Sequence, residues 1–128
     1  MILENDSINI LAYNSETIFA EKLQAILHLK TANSRMKDYY DIFYFLSDGW
    51  THLDKKTLIN AIHTTFTNRN TLDDLYLLDP ILHTLESDKK LNELWLDYQT
   101  VFFYSKNISF QDIINRMKEF STWLNPFL

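Results

Sequence analysis

The sequence has no cysteine, one glycine (Gly49) and two prolines (Pro80 and Pro126) among its 128 residues. Without cysteine, disulfides, cysteine-ligated zinc and thiol catalysis are excluded. A single glycine cannot build a glycine-rich phosphate loop. An all-β sandwich or barrel needs many glycine and proline turns, so their scarcity argues against one. A helical protein is the expected class.

Long apolar runs are missing as well. The longest are short, such as residues 42–46, whereas a membrane-spanning helix needs roughly 18 or more apolar residues. The first residues include Glu4 and Asp6 and no basic residue, which is unlike a signal peptide. The formal net charge of −5 disfavours general binding to nucleic acid or anionic membranes. We therefore expect a cytoplasmic protein that does not associate with membranes.

Apolar residues make up 46% of the chain, and they recur at helical spacing. The pattern predicts one all-α domain over residues 1–128, a bundle of five to six helices. The partly alternating residues 8–13 allow one short N-terminal strand before them. The predicted helices begin after Ser15, Arg35, Asp54, Asp79, Asp88 and Ser109, and they end near Thr31, Ser47, Phe66, Leu85, Phe102 and Leu124.

Lys22 is out of place on a simple helical bundle. Its neighbours three and four residues away are Ile18, Phe19, Ala25 and Ile26, so it falls within an apolar helix face. A lysine there is costly unless its charge has a partner. It is either a phosphate-binding or charge-stabilising lysine in a cleft, or a lysine whose stem packs while its ammonium reaches water.

Asp38 and Asp41 lie three residues apart on one side of the second predicted helix. Such a pair can hold a cation or orient a lysine or a base. Ordinary surface ion pairs of Arg35 with Asp38 and of Lys37 with Asp41 are the more common arrangement at this spacing. From the residues alone, the surface pairs are the favoured interpretation.

The segment from Lys22 to Lys37 contains four basic residues, with Lys30 and Arg35 between them, and no acid. Such a stretch can bind a phosphate or a nucleic-acid backbone, although a solvated corner between two helices is the commoner case. The four histidines have no metal-ligand spacing, and no G-x-S-x-G motif supports a nucleophilic serine.

Two motifs resemble a known family. The segment from Ala12 to Leu23, with the pattern E-x-x-x-A-E-K-L, is followed by R-M-K-D-Y-Y-D from Arg35 to Asp41. Over about residues 8–48 this resembles the C-terminal helical part of the AbiEii-type nucleotidyltransferase toxins of abortive-infection and type IV toxin–antitoxin systems.

The resemblance implies that these helices pack on an N-terminal nucleotidyltransferase core. It also implies that Lys22 contacts nucleotide phosphates, with Arg35 and Lys37 nearby as further phosphate-binding candidates. An aspartate of the second motif, Asp38 or Asp41 with Asp38 preferred, belongs to the active site. The complete enzyme is expected to need Mg²⁺ and an NTP, to modify an acceptor such as tRNA, and to have an antitoxin partner.

The sequence departs from the family pattern in its metal-binding motif, and this departure bears on whether the chain is active by itself. The family's metal-binding part carries Gly-Ser followed by D-x-D, and this chain has no D-x-D and no glycine before Gly49. We therefore expect a chain that holds no metal or cofactor by itself and is inactive without a catalytic core. The alternatives are an independent helical module that binds an antitoxin or another protein, and a small nucleic-acid-binding domain that uses the stretch from Lys22 to Lys37.

Overall fold

The computed structural model describes the backbone of residues 2–128 and the side chains of residues 15–128. That part of the chain is all-α, as predicted, and its backbone contains no strand. It forms seven α-helices, which are α1 (Ile2–Leu29), α2 (Met36–Leu46), α3 (Lys55–Asn68), α4 (Leu72–Tyr76), α5 (Leu78–Glu86), α6 (Lys89–Val101) and α7 (Phe110–Leu124). Single 3₁₀ turns follow α1, α2, α6 and α7.

The N-terminal strand allowed by residues 8–13 does not form. These residues belong to α1, which passes through Asn14 and Ser15 without a break, so the helix start predicted there is also wrong. No proline or glycine interrupts the chain before Gly49, and a single strand would leave its backbone hydrogen-bonding groups without a partner strand. The side chains of residues 8–13 lie outside the described residues.

Side-chain caps fix three of the predicted helix starts. The carboxylate of Asp54 accepts a hydrogen bond from the Thr57 backbone at the start of α3, and Asp88 caps α6 through Leu91 in the same way. Ser109 and Asp112 form the reciprocal capping box predicted for α7. Each cap satisfies backbone donors that the first helical turn leaves free, and is typically worth about 1 kcal/mol.

Two features of the middle of the chain differ from the prediction. The short helix α4 was not predicted, so the observed helix count exceeds the expected five to six. The helix expected to begin after Asp79, at Pro80, begins two residues earlier, at Leu78. The Asp79 carboxylate accepts a hydrogen bond from the Ser121 hydroxyl of α7 instead of capping α5. The Asp79 side chain, which the local sequence pattern predicts as a helix cap, thus makes a tertiary contact with α7 instead.

The ends of α1, α2 and α3 differ in which residues adopt a left-handed backbone conformation. Glycine often ends a helix in a left-handed conformation, but the φ of Gly49, after α2, is −80°, which is right-handed. Glycine is favoured at this position for a steric reason, because a Cβ at residue 49 would lie 3.1 Å from the Phe45 Cα atom. The left-handed residues are Lys30 (φ 51°), after α1, and Asn70 (φ 55°), after α3. Asparagine tolerates this conformation better than most residues other than glycine.

The core lies where α1 packs against α2 and α3 and where α7 packs against α2 and α5. Phe19 of α1 is completely buried, and its ring makes edge-to-face contacts with Phe45, at 5.9 Å between ring centroids, and with Phe120, at 5.1 Å. Because aromatic rings bury large areas, this contact joins the helices α1, α2 and α7. The other completely buried large residues include Leu23, Ile26, Leu27, Tyr39, Ile42, Leu58, Ile62, Phe66, Leu75 and Leu82.

No helix within the described residues is both long enough and apolar enough to cross a lipid bilayer. The longest, α1, includes Glu16, Glu21 and Lys22 in its second half.

A polar contact also holds α5 to α7. The Glu86 carboxylate accepts hydrogen bonds from Lys118 Nζ, at 2.7 Å, and from the Gln111 side-chain amide. The hydrogen bond from Lys118, followed by the one from Gln111, lowers the pKa of Glu86 from its usual 4.5. A carboxylate whose pKa is lower in the folded than in the unfolded state stabilises the fold above the unfolded pKa, and this stabilisation is lost as the pH falls through the folded pKa.

We expect Glu86→Gln to lower the free energy of unfolding at pH 7, and the difference from the unmodified protein to shrink as the pH falls below the usual pKa of 4.5. Urea unfolding on both sides of that pH measures the effect. The control is Glu93→Gln, because Glu93 forms only an exposed pair with Lys89 at 3.9 Å. A difference between Glu86→Gln and the unmodified protein that stays constant over this pH range would contradict the assignment.

Candidate functional site

Two helices, α1 and α2, bring the acidic and basic residues of the candidate site together. Lys22 lies in the last third of α1, Asp38 lies in the first turn of α2, and Asp41 lies one turn further along α2. Asp38 is placed favourably, because a carboxylate in the first turn of a helix interacts with the positive end of the helix dipole. The turn before α2 is fixed by Asn33, whose side-chain oxygen accepts a hydrogen bond from the Arg35 backbone at 2.9 Å.

Lys22 contacts both aspartates. Its ammonium nitrogen lies 2.9 Å from Asp41 Oδ2 and 3.4 Å from Asp38 Oδ1, and 23% of its side chain is exposed. The Lys22 ammonium is therefore paired with two carboxylates, and most of the Lys22 side chain is buried. Because an ammonium has three N–H donors, the two carboxylates leave donor capacity for a further acceptor.

The surface ion pairs expected along α2 are also present. Arg35 Nε lies 3.6 Å from Asp38 Oδ2, and Lys37 Nζ lies 2.8 Å from Asp41 Oδ1. The hydrogen bond with Asp41 is the main cause of a raised pKa of Lys37. The two interpretations of the aspartates thus hold together, because each carboxylate uses one oxygen for its helical neighbour and the other for Lys22.

The two aspartates differ in burial. Only 3% of the Asp38 side chain is exposed, against 19% for Asp41. A buried carboxylate needs both of its cations, whereas a partly hydrated one depends less on them. Asp38 is therefore the carboxylate that fixes the position of Lys22 most strictly.

An open pocket of about 280 Å³ lies beside this cluster. Ile18, Lys22 and Ala25 line it from one face of α1, and Arg35 and Asp38 line it from α2. Arg69, which ends α3, and Glu21 complete the lining. Lys37 does not line the pocket, so the structure places only two of the three phosphate-binding candidates, Lys22 and Arg35, around it.

Arg69 was not singled out from the sequence. Its guanidinium lies 3.4 Å from Glu21 Oε2 and 3.3 Å from Gln24 Oε1, so it reaches across to α1 from the end of α3. No local sequence signal marks Arg69, because its position depends on how α3 packs against α1. Glu16 was missed in the same way, since it is buried in α1 and accepts a hydrogen bond from the Asp54 backbone at 3.0 Å, at the start of α3.

The basic stretch from Lys22 to Lys37 is paired with acids. Lys22, Arg35 and Lys37 contact Asp38 and Asp41, and Lys30 Nζ lies 3.2 Å from Asp74 Oδ1. The absence of acids in this part of the sequence is thus compensated by carboxylates from α2 and α4. This pairing reduces the positive potential that binding to a nucleic-acid backbone requires.

Mg²⁺ does not fit the described residues. Among residues 15–128, no group of three or more His, Asp or Glu side chains is placed to hold a metal ion. The carboxylates of Asp38 and Asp41 are occupied by three basic side chains, an arrangement that favours ion pairing over metal coordination. We derive no catalytic step through a metal at this site.

The fold and the site define an all-helical protein in which a lysine bound to two aspartates borders a pocket lined by basic side chains. Residues 1–116 match the family described as nucleotidyl transferase AbiEii toxin, type IV toxin–antitoxin system. The chain belongs to this family. Comparisons with curated proteins and with solved structures find no match.

We expect Asp38→Asn to lower the free energy of unfolding by about 1–3 kcal/mol, because it leaves the largely buried Lys22 with one carboxylate instead of two. Asp41→Asn should cost less, since Asp41 is more exposed. Denaturant titration of both variants tests this. The surface control is Lys89→Ala, because the Lys89 side chain is 90% exposed, and this variant should change stability by less than about 0.5 kcal/mol. Equal losses for the two aspartates would contradict the order of burial.

Proposed function

We propose that this chain is the helical part of an AbiEii-like nucleotidyltransferase, which transfers a nucleotide from an NTP to an acceptor such as tRNA. In this proposal Lys22 binds the phosphates of the NTP at the open side of its ammonium. Asp38 holds Lys22 in place, and Asp41 completes the carboxylate pair. Arg35 adds positive charge beside Lys22, while Lys37 keeps Asp41 in position.

The observation that carries the proposal is the double contact of Lys22 with Asp38 and Asp41 at the edge of an open pocket. The two carboxylates fix the ammonium before any substrate arrives, which is the arrangement that favours stabilisation of developing charge. Family membership supports the choice of reaction.

We also propose that the chain is inactive by itself. None of its residues forms the D-x-D motif with which the family is expected to bind Mg²⁺, and the described side chains contain no alternative metal site. Nucleotide transfer needs charge neutralisation at the phosphates that are attacked and released. A metal-binding catalytic core would supply this, and the helical bundle would work in the cytoplasm with that core.

Lys22→Ala is expected to abolish nucleotide transfer by the enzyme reassembled with a catalytic core, without unfolding the bundle. The measurement is incorporation of labelled nucleotide from each NTP into RNA, with circular dichroism to check the fold. Lys89→Ala is the matched control, since the Lys89 side chain is 90% exposed, lies 3.9 Å from Glu93 and does not line the pocket.

The same assay on the 128-residue chain alone should show no transfer. Full activity of the Lys22→Ala enzyme would exclude the proposed role of Lys22. Transfer by the chain alone would exclude the proposed dependence on a separate core.

Exposed apolar side chains support a second candidate function, the binding of a protein partner such as an antitoxin. Along α6 and the turn that follows it, Leu96 is 61% exposed, Val101 71% and Phe103 80%. Four consecutive residues, Val101 to Tyr104, have large exposed apolar or aromatic side chains, and such a cluster favours association with another surface. Type IV toxin–antitoxin membership makes an antitoxin a reasonable partner class.

Size-exclusion chromatography with light scattering, together with binding of a hydrophobic dye, tests this second function. A docking surface predicts self-association or strong dye binding that Phe103→Ser reduces. A monomer with low dye binding would count against a protein-interaction module, and it would leave the nucleotidyltransferase proposal unaffected because that proposal rests on Lys22.

A further inference from the structure

Arg69 is the one basic side chain at the pocket that neither of the two sequence motifs contains. It directly follows α3 and precedes the left-handed Asn70, and the Thr71 backbone donates a hydrogen bond to the Phe66 carbonyl at 2.9 Å, closing the helix end. The Gln24 side chain of α1 donates a hydrogen bond to the Thr71 hydroxyl at 3.2 Å. The helix end that carries Arg69 is therefore fastened to α1 beside Lys22.

The contacts of Arg69 itself are loose. Its guanidinium nitrogens lie 3.3 Å from Gln24 and 3.4 Å from Glu21, beyond the usual hydrogen-bond lengths. The Arg69 and Glu21 side chains are about half exposed, at 51% and 47%. An exposed ion pair of this kind contributes about 0–1 kcal/mol, so a stronger acceptor can replace Glu21 at little cost.

The pocket then has one basic residue from each of three chain segments, which are Lys22 from α1, Arg35 before α2 and Arg69 after α3. Its acidic lining residues are Glu21 and Asp38. The pocket is open to solvent and, at about 280 Å³, has room for a short chain of phosphate groups. A planar guanidinium can bind phosphate through two parallel hydrogen bonds, which a lysine cannot do.

We infer that Arg69 is a further phosphate-binding residue of this pocket, and that it exchanges Glu21 for the phosphate chain of the substrate. Glu21 is then a built-in counterion that holds the guanidinium at the pocket until the substrate arrives. This inference rests on the proposed function, because it assigns Arg69 to the same phosphate groups that Lys22 is proposed to bind.

The test uses inorganic triphosphate as the probe and the 128-residue chain, with isothermal titration calorimetry at low salt. Arg69→Gln is expected to weaken binding about tenfold, the size of one lost hydrogen bond to a charged group. Glu21→Gln is expected to strengthen binding, because it removes the carboxylate that competes for Arg69. Lys89→Gln removes the same charge at an exposed site and should leave affinity within about twofold.

The variants distinguish this inference from the proposed function. If Lys22→Ala weakens binding and Arg69→Gln does not, the inference about Arg69 is wrong and the phosphate role of Lys22 stands. If Arg69→Gln weakens binding and Lys22→Ala does not, the shared site is wrong. If the unmodified chain does not bind triphosphate, the inference about Arg69 is wrong, whereas the proposed function is decided by the transfer assay on the reassembled enzyme. Weaker binding by Glu21→Gln would overturn the counterion role, because it would show that Glu21 only tethers Arg69.

Discussion

The structure depends on the charge of Lys22 within a largely apolar helix face. An ammonium that is mostly removed from water is costly unless carboxylates surround it. Asp38 and Asp41 can pair with the Lys22 ammonium only if the first two turns of α2 pack against the part of α1 that carries Lys22. The ion pairs therefore help to fix how α1 and α2 meet beside the pocket. A buried apolar pair at these positions could stabilise the contact equally well, but it would leave no charge at the pocket.

The spacing of the two aspartates in the second motif is explained by the same contact with Lys22. A three-residue separation between Asp38 and Asp41 places both carboxylates on one side of α2, so that a single lysine reaches them. The remaining oxygens are held by Arg35, just before α2, and by Lys37 in its first turn. Each of the four motif residues beyond Lys22 thus has a structural role in addition to any role in binding. A substitution that disrupts activity at these positions must be compared with its effect on stability before a binding role is assigned.

The rest of the bundle positions this cluster through helix ends. Glu16 of α1 accepts a hydrogen bond from the backbone at the start of α3, and Gln24 of α1 contacts Thr71 just beyond the end of α3. These two contacts, eight residues apart on α1, hold both ends of α3 against the same helix. Arg69 reaches the pocket as a result. The aromatic contacts of Phe19 with Phe45 and Phe120 pack α2 and α7 against α1.

The sequence by itself determined the helical class, three of the helix starts and the unusual position of Lys22. These depend on short-range rules, which are apolar periodicity, side-chain caps at Asp54, Asp88 and Ser109, and neighbours three and four residues apart. It also carried the motifs that place the chain in its family. Only the tertiary structure decided that residues 8–13 continue a helix, that Asp79 binds Ser121 instead of capping α5, and that Arg69 lies beside Lys22. Those outcomes depend on contacts between residues more than 40 positions apart or on the absence of a partner strand, and no local pattern contains that information.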